Sequence, residues 1–316
     1  MYIPEEFYES EVRDGFYVPS FMKRSWAATL EILDEIAGVC SRHGLKWWID
    51  WGSLIATVRH RGFIPWDDDL DISMMRRDYM LFNKYAQNEL SDGYSLNNIY
   101  NKRDFDDYLT RVVNTSYVRD DETFLESHCG FPYIAGVDIF CIDYVNPDEE
   151  VDVEICKMIY TIGSVATGLD PELFVKDIPE YAGALNNIEE MCRYSFNGLE
   201  PVRQQINKLC ERLMQNTKKE EALKATCMAN HATREGFRGI FPKEYYEELI
   251  TMPYEFIEVP VPLHYDEMLR TLFGNYMKPY RPGGLHEYPY YEKQEKLLTD
   301  NGYDIMRKMF NIGSIA

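Results

Sequence analysis

Two hydrophobic periods alternate along the chain. From about Ser20, Trp26, Leu30, Leu33, Ile36 or Ala37, and Cys40 recur at the spacing of one helical face. Ser20 or Ser25 can cap that helix, Arg42 and His43 fall in its last turn, and Gly44 suits the residue that ends it. Leu45 to Asp50 then reads as a strand, running into Trp51-Gly52-Ser53 and a short helix from Leu54 that stops near Gly62. In IPWDDDLDI, Ile64 to Ile72, the period changes to two. Asp67, Asp69 and Asp71 alternate with Asp68, Leu70 and Ile72, so in a strand these three acids share one face while Leu70 and Ile72 enter a core. A helix is predicted over 76–90, strands over 93–100 and 109–118, and a buried strand from Tyr133 to Phe140.

From 149 to 231 the pattern is mainly helical, with segments at 151–165, 188–214 and 219–229 and a break at 168–171. Residues 240–262 are rich in proline and aromatics. A helix over Tyr265–Phe273 ends at Gly274, and Tyr276, Lys278, Tyr280, Arg281 and His286 follow in a Pro/Gly loop. Residues 1–19 lack a period and predict an irregular arm. No repeat or low-complexity linker interrupts the chain, which favours one compact domain.

Composition changes the picture in two ways. The formal charge of -20, from 33 basic and 53 acidic residues, argues against a broad nucleic-acid surface while leaving room for a local basic pocket. Seven scattered cysteines without a CxxC pair argue against a zinc ribbon or a thioredoxin-type site and suit a reducing compartment. With no leader pattern and no apolar run of the roughly 18 residues a span needs, the expectation is a soluble cytoplasmic protein with no direct membrane span, compatible with work beside a membrane through another protein.

The candidate chemistry centres on the acids. A row of carboxylates repels itself unless a cation sits among them, and Mg²⁺ prefers carboxylate oxygens while keeping positions open for phosphates. Gly52-Ser53 at a strand-to-helix junction suits a phosphate cradle, because glycine lets the backbone approach and a helix start offers free N–H groups; it equally suits an ordinary turn and cap. Asp138 is a charge inside the apolar run of Tyr133 to Phe140, which calls for a partner, a metal or a backbone bond. Arg59, His60 and Arg61 can balance phosphate charge or sit on the surface, and Lys278 and Arg281 can close over a nucleotide or belong to an ordinary tail. A calcium loop fits Asp67, Asp69, Asp71 and Asp78 at positions 1, 3, 5 and 12, but Ile72 stands where that loop needs glycine.

The order of these pieces resembles the nucleotidyltransferase superfamily pattern: Gly52-Ser53, then Asp69-Leu70-Asp71, then Asp138 between apolar residues. The longer string GSLIATVRHRGFIPWDDDLDI, Gly52 to Ile72, resembles the LicD family, which includes the fukutin-related transferases. GVDIFCID (136–143) and VPLHYDEMLRTLFGNYM (261–277) are similar to that family's second and third segments. The chain departs from the family in carrying Asn275 where members often have Asp, and in its 278–286 run.

The resemblance implies an α+β fold, a nucleotidyltransferase-like mixed β-sheet core with flanking helices and a largely helical insertion. The parts would be an N-terminal arm and helix (1–44), a catalytic core (45–148), a helical region (149–240) and a C-terminal extension completing the site (241–316). It implies transfer of phosphocholine or a polyol phosphate from a CDP-activated donor, CDP-choline or a CDP-polyol, to a hydroxyl of a cell-surface glycan or its precursor. Asp69 and Asp71 would hold Mg²⁺ (or Mn²⁺) on the donor pyrophosphate. Asp138 would complete the metal shell or take the acceptor proton. Asp67 and Asp68 would orient the ligands. Gly52 and Ser53 would hold donor phosphate, with Arg59, His60, Arg61, Lys278 and Arg281 also on the donor. The alternatives are a nucleotidyltransferase acting on a small molecule and an inactive member that only binds glycan.

Overall fold

A computed structural model describes residues 1–175, 179–281 and 288–302. The aperiodic start is more ordered than its pattern predicts. A 3₁₀ turn at Glu5–Tyr8 leads into a hairpin of β1 (Glu11–Arg13) and β2 (Phe16–Val18). Its two-residue turn is Asp14-Gly15, both left-handed at φ 49° and 70°, which matches the right-handed twist of the flanking strands. Helix α1 (Ser20–His43) follows as its spacing predicts. Trp26, Leu30, Leu33, Ile36 and Cys40 are buried, and Gly44 at φ 61° returns its N–H to the carbonyls of Cys40 and Ser41.

Strand β3 is only Trp48–Ile49, because Asp50 already turns to cap α2 (Trp51–His60). Strand β4 (Asp71–Met75) leads into α3 (Arg76–Glu89), then β5 (Ser95–Asn97), β6 (Leu109–Val113), the short α4 (Glu122–Ser127) and β7 (Gly136–Tyr144). The buried strand thus starts three residues later than its apolar run suggests and extends past it. The helical stretch comprises α5 (Glu149–Thr167), α6 (Ala182–Cys192) and α7 (Val202–Met214). The pattern over 188–214 is not one helix. Arg193, left-handed at φ 47°, ends α6, and Pro201 precedes α7.

The segment read as helical over 219–229 is instead β8 (Lys224–Thr226) followed by α8 (Met228–Thr233). Tertiary pairing overrides local preference here, since Ala225 and Thr226 bond the exposed end of β7 at Tyr144 and Asp143. Strand β9 (Ile240–Pro242) pairs with β8. A separate hairpin, β10 (Leu249–Tyr254) and β11 (Ile257–Pro262), precedes α9 (Tyr265–Phe273), and α10 (Glu292–Asp300) closes the described chain.

The fold is α+β around a mixed sheet of order β3-β4-β7-β6-β5, with β8 and β9 continuing from the far end of β7. Strands β4 and β7 are parallel; the other pairs are antiparallel. Helices α1 and α3 pack together and on β7, and Trp26 stacks on Phe63 at 4.7 Å. Helices α5 and α7 share their own apolar cluster through Ile155, Ile159, Ile206 and Leu209. Arg76 joins the two layers by bonding Asp143 and Glu211. No helix among the described residues is long and apolar enough to cross a membrane.

Candidate functional site

Of the four acids, only Asp71 lies in a paired strand. Residues 65–70 are extended or turning, and the ladder begins only at Asp71. Pro65 and Trp66 form a turn closed by the Asp67 N–H on the Ile64 carbonyl at 2.9 Å, and the Trp26 indole N–H pins the Asp67 carbonyl at 3.2 Å. Alternation persists all the same. Asp67, Asp69 and Asp71 face one cavity of about 800 Å³, while Asp68 and Leu70 point into the protein.

Helix α2 sets the floor of this cavity. The Asp50 carboxylate accepts the Trp51 N–H at 2.9 Å. Trp51 is left-handed at φ 52°, a conformation costing a side-chain-bearing residue about 1–3 kcal/mol and concentrated at functional sites. Gly52 lies in the first turn and lines the cavity; a methyl group there would stand 3.7 Å from Asp67 Oδ2. Ser53 takes a different place. It is buried, and its Oγ accepts the Asp71 N–H at 2.9 Å, so it fixes the strand that carries Asp71.

The basic triplet at the end of α2 divides three ways. Arg59 lines the cavity and donates to the Tyr276 carbonyl at 2.6 Å, tying the α9 loop to α2. The His60 side chain is 4% exposed and 2.9 Å from Asp14; burial, then Arg59, lowers its pKa from the ordinary imidazole value. Arg61, left-handed at φ 54°, ends the helix on the surface. Lys278 and Arg281 both reach the cavity. The Arg281 guanidinium lies 4.6 Å from the Trp66 ring centre and 5.1 Å from that of Phe16. His286 lies outside the described residues.

Asp68 is buried, and its carboxylate accepts the Tyr290 N–H at 2.6 Å, which anchors the segment leading into α10. Asp138 is the Cα partner of Asp71 on the adjacent parallel strand, so the two side chains leave the same face. Yet Asp138 is not among the residues lining the cavity. Its carboxylate is held by Arg111, across the other ladder, through bonds of 2.6 and 2.7 Å. Among the described residues, the ligand-type atoms that gather within 4.8 Å of one another belong to Asp152, Cys156 and His231, not to Asp69, Asp71 and Asp138.

Electrostatically the acidic wall is under-compensated. Burial first, then Asp69, Asp138, Asp67 and Asp50, pushes the Asp71 carboxyl well above the usual carboxylate range. Burial and then Asp69 and Asp68 do the same to Asp67. An all-oxygen donor set that repels itself suits a hard divalent cation. In the same cavity, Arg59, Lys278 and Arg281 supply positive charge, and Trp66, Tyr276 and Tyr288 supply aromatic lining. Arg111 escaped the sequence reading because nothing local marks it; its importance follows only from the register Arg111↔Asp138. Asn275 and Tyr276, both marked in the sequence, also line the cavity, as does Tyr288, which has no sequence signal beyond an aromatic-rich loop.

A family model covers the part of this site from α2 to the acidic loop. Residues 44–134 match the LicD/FKTN/FKRP nucleotidyltransferase domain. The lipopolysaccharide cholinephosphotransferase LicD of Haemophilus influenzae is 39% identical over 67 residues, 21% of this chain and 25% of that protein. The human and mouse ribitol 5-phosphate transferases FKRP are each 37% identical over 51 residues, 16% of this chain and 10% of theirs. The chain thus spans about a quarter of the bacterial relative and a tenth of the mammalian ones. Over residues 44–134, then, the chain resembles the LicD/FKTN/FKRP nucleotidyltransferase domain.

Proposed function

We propose that the cavity between α2, the acidic loop and the α9 loop transfers a substituted phosphate, phosphocholine or a polyol phosphate, from a CDP-linked donor to a hydroxyl of a cell-surface glycan or its precursor. The protein is thus a phosphotransferase acting in the cytoplasm. The observation that carries this reading is that one cavity is lined by both kinds of charge. Asp67, Asp69 and Asp71 share it with Arg59, Lys278 and Arg281, as a metal-bound diphosphate requires. The named activities of the Haemophilus and FKRP relatives agree with it.

In this reading Asp69 and Asp71 hold Mg²⁺ or Mn²⁺, with Asp67 orienting them. The ion would supply neutralisation of pyrophosphate charge and withdraw electrons from the scissile bond. Arg59, Lys278 and Arg281 hold the donor phosphates, and the Gly52 backbone lets them approach the start of α2. Ser53 acts indirectly by holding Asp71, and Asp68 by holding the Tyr290 segment. Asp138, one strand from Asp71 and clamped by Arg111, serves as the further ligand or accepts the proton of the attacking hydroxyl. The transfer is balanced: the acceptor oxygen bonds the phosphorus carrying the head group, the bridging P–O bond breaks, CMP leaves, and the hydroxyl proton passes to a base.

Mass spectrometry of products from a panel of CDP-alcohols and candidate glycans tests this. A glycan gaining the donor's phospho-head-group mass, with CMP released, is expected. A product gaining CMP, with the phosphorylated head group released, would favour nucleotidyl transfer instead.

A further inference from the structure

A second constellation lies on the helical side of the molecule, away from the acidic wall. Asp152 and Cys156 are four residues apart on α5 and share one helix face. His231 comes from α8, 79 positions from Asp152 in sequence, and α8 packs on α5. A carboxylate oxygen, the thiol sulfur and an imidazole nitrogen of these three all lie within 4.8 Å of one another. His231 Nε2 is 2.8 Å from Asp152 Oδ2. The Asp152 side chain is 10% exposed, and its other oxygen, Oδ1, is buried without a hydrogen-bond partner. Leaving a buried carboxylate oxygen unsatisfied is costly. All three residues line one cavity of about 820 Å³.

An ordinary Asp–His ion pair accounts for Oδ2. It gives no role to Oδ1, which stays unsatisfied beside a thiol that also bonds His231. We propose that Asp152, Cys156 and His231 form a divalent transition-metal site, zinc by its ligand chemistry, with a fourth coordination position open to the cavity. Mg²⁺ and Ca²⁺ favour all-oxygen shells, whereas thiolate, imidazole and carboxylate together suit Zn²⁺. Three protein ligands beside an open cavity match a site that keeps a position for water or another ligand. The ion would clamp α5 to α8, and hence the helical layer to the β8 edge of the sheet. It is separate from the ion proposed for Asp69 and Asp71, and the two respond to different variants.

Cobalt titration of the metal-free full-length chain, followed by absorption, tests the site directly, because a thiolate ligand gives a near-ultraviolet charge-transfer band. One cobalt per chain with that band, displaced by zinc, is expected. Cys156→Ser should remove the band, and Asp152→Asn or His231→Gln should weaken zinc binding by about tenfold or more. Asp71→Asn should leave the band unchanged. Far-UV circular dichroism checks that each variant is folded, and the wild-type titration stands without any variant. Absence of the band in the wild type would overturn the proposal. So would a band that survives Cys156→Ser, which would assign it to another of the seven cysteines.

Discussion

Arg111 holds Asp138 by a two-pronged contact, Nε to Oδ1 at 2.6 Å and Nη2 to Oδ2 at 2.7 Å, immediately beside Asp71 in the sheet. The fork matches carboxylate geometry, so it fixes the orientation of Asp138 as well as its charge. Gly136 makes room for it, since a methyl group there would come within 3.2 Å of Arg111 Cδ. Arg111→Lys keeps the charge and loses the fork. Steady-state kinetics should give a rate roughly 10–100-fold lower. The Arg111 side chain is 40% exposed, so thermal stability should change by no more than about 1 kcal/mol. An unchanged rate would mean that the orientation of Asp138 is irrelevant to the chemistry.

Neighbouring acids should fail in opposite ways. Asp68 is buried on the Tyr290 N–H, whereas Asp69 is exposed at the cavity. Asp68→Ala leaves a buried donor unpaired and should cost about 1–3 kcal/mol in urea unfolding. Asp69→Asn should leave the unfolding midpoint near that of the wild type while abolishing turnover. If both variants lost only activity, Asp68 would have to be assigned to the reaction itself.

Arg281 lies over Trp66 and Phe16 at the cavity mouth. Arg281→Ala should raise KM for the donor by about tenfold, about 1.4 kcal/mol of binding, with a smaller effect on kcat. Trp66→Leu, which removes the platform while keeping the cation, should move KM in the same direction by less. A fall in kcat alone would place Arg281 in the transition state rather than in donor binding.

The layers of the fold are joined by a buried charge cluster. Arg76, in the first turn of α3, donates to Asp143 of β7 at 2.6 and 2.8 Å and to Glu211 of α7 at 2.8 Å, and Tyr100 also bonds Glu211. Both carboxylates are buried, and burial pushes the Asp143 carboxyl up even though Arg76 pulls it down. Arg76→Met strands both anions and should cost about 3–5 kcal/mol, measured by chemical denaturation. A loss below about 1 kcal/mol would show that the helical layer is held by its apolar contacts alone.

Much of this organisation is legible in the chain because it is local. The run from Trp26 to Cys40 and the left-handed Gly44 define α1, and the alternation of Asp67, Asp69 and Asp71 survives even though the strand begins only at Asp71. What depends on distant partners is not legible. Ser53 reads as part of a phosphate turn, but the helix starts at Trp51, so its hydroxyl falls beneath Asp71. The 219–229 segment has helical spacing yet completes the sheet, because the far end of β7 offers it a partner. Asp152, Cys156 and His231 come together only once α8 is packed on α5. The expectation that Asp138 would join Asp69 and Asp71 foresaw the neighbouring strands but not Arg111.

Calorimetry of CDP-choline binding, with and without Mg²⁺, in the wild type and in Asp71→Asn reads the metal dependence of the site itself. Mg²⁺-dependent binding is expected in the wild type, with loss of that dependence in a folded Asp71→Asn protein. Binding equally tight without Mg²⁺, or undiminished in Asp71→Asn, would contradict the assignment of Asp71 to the metal.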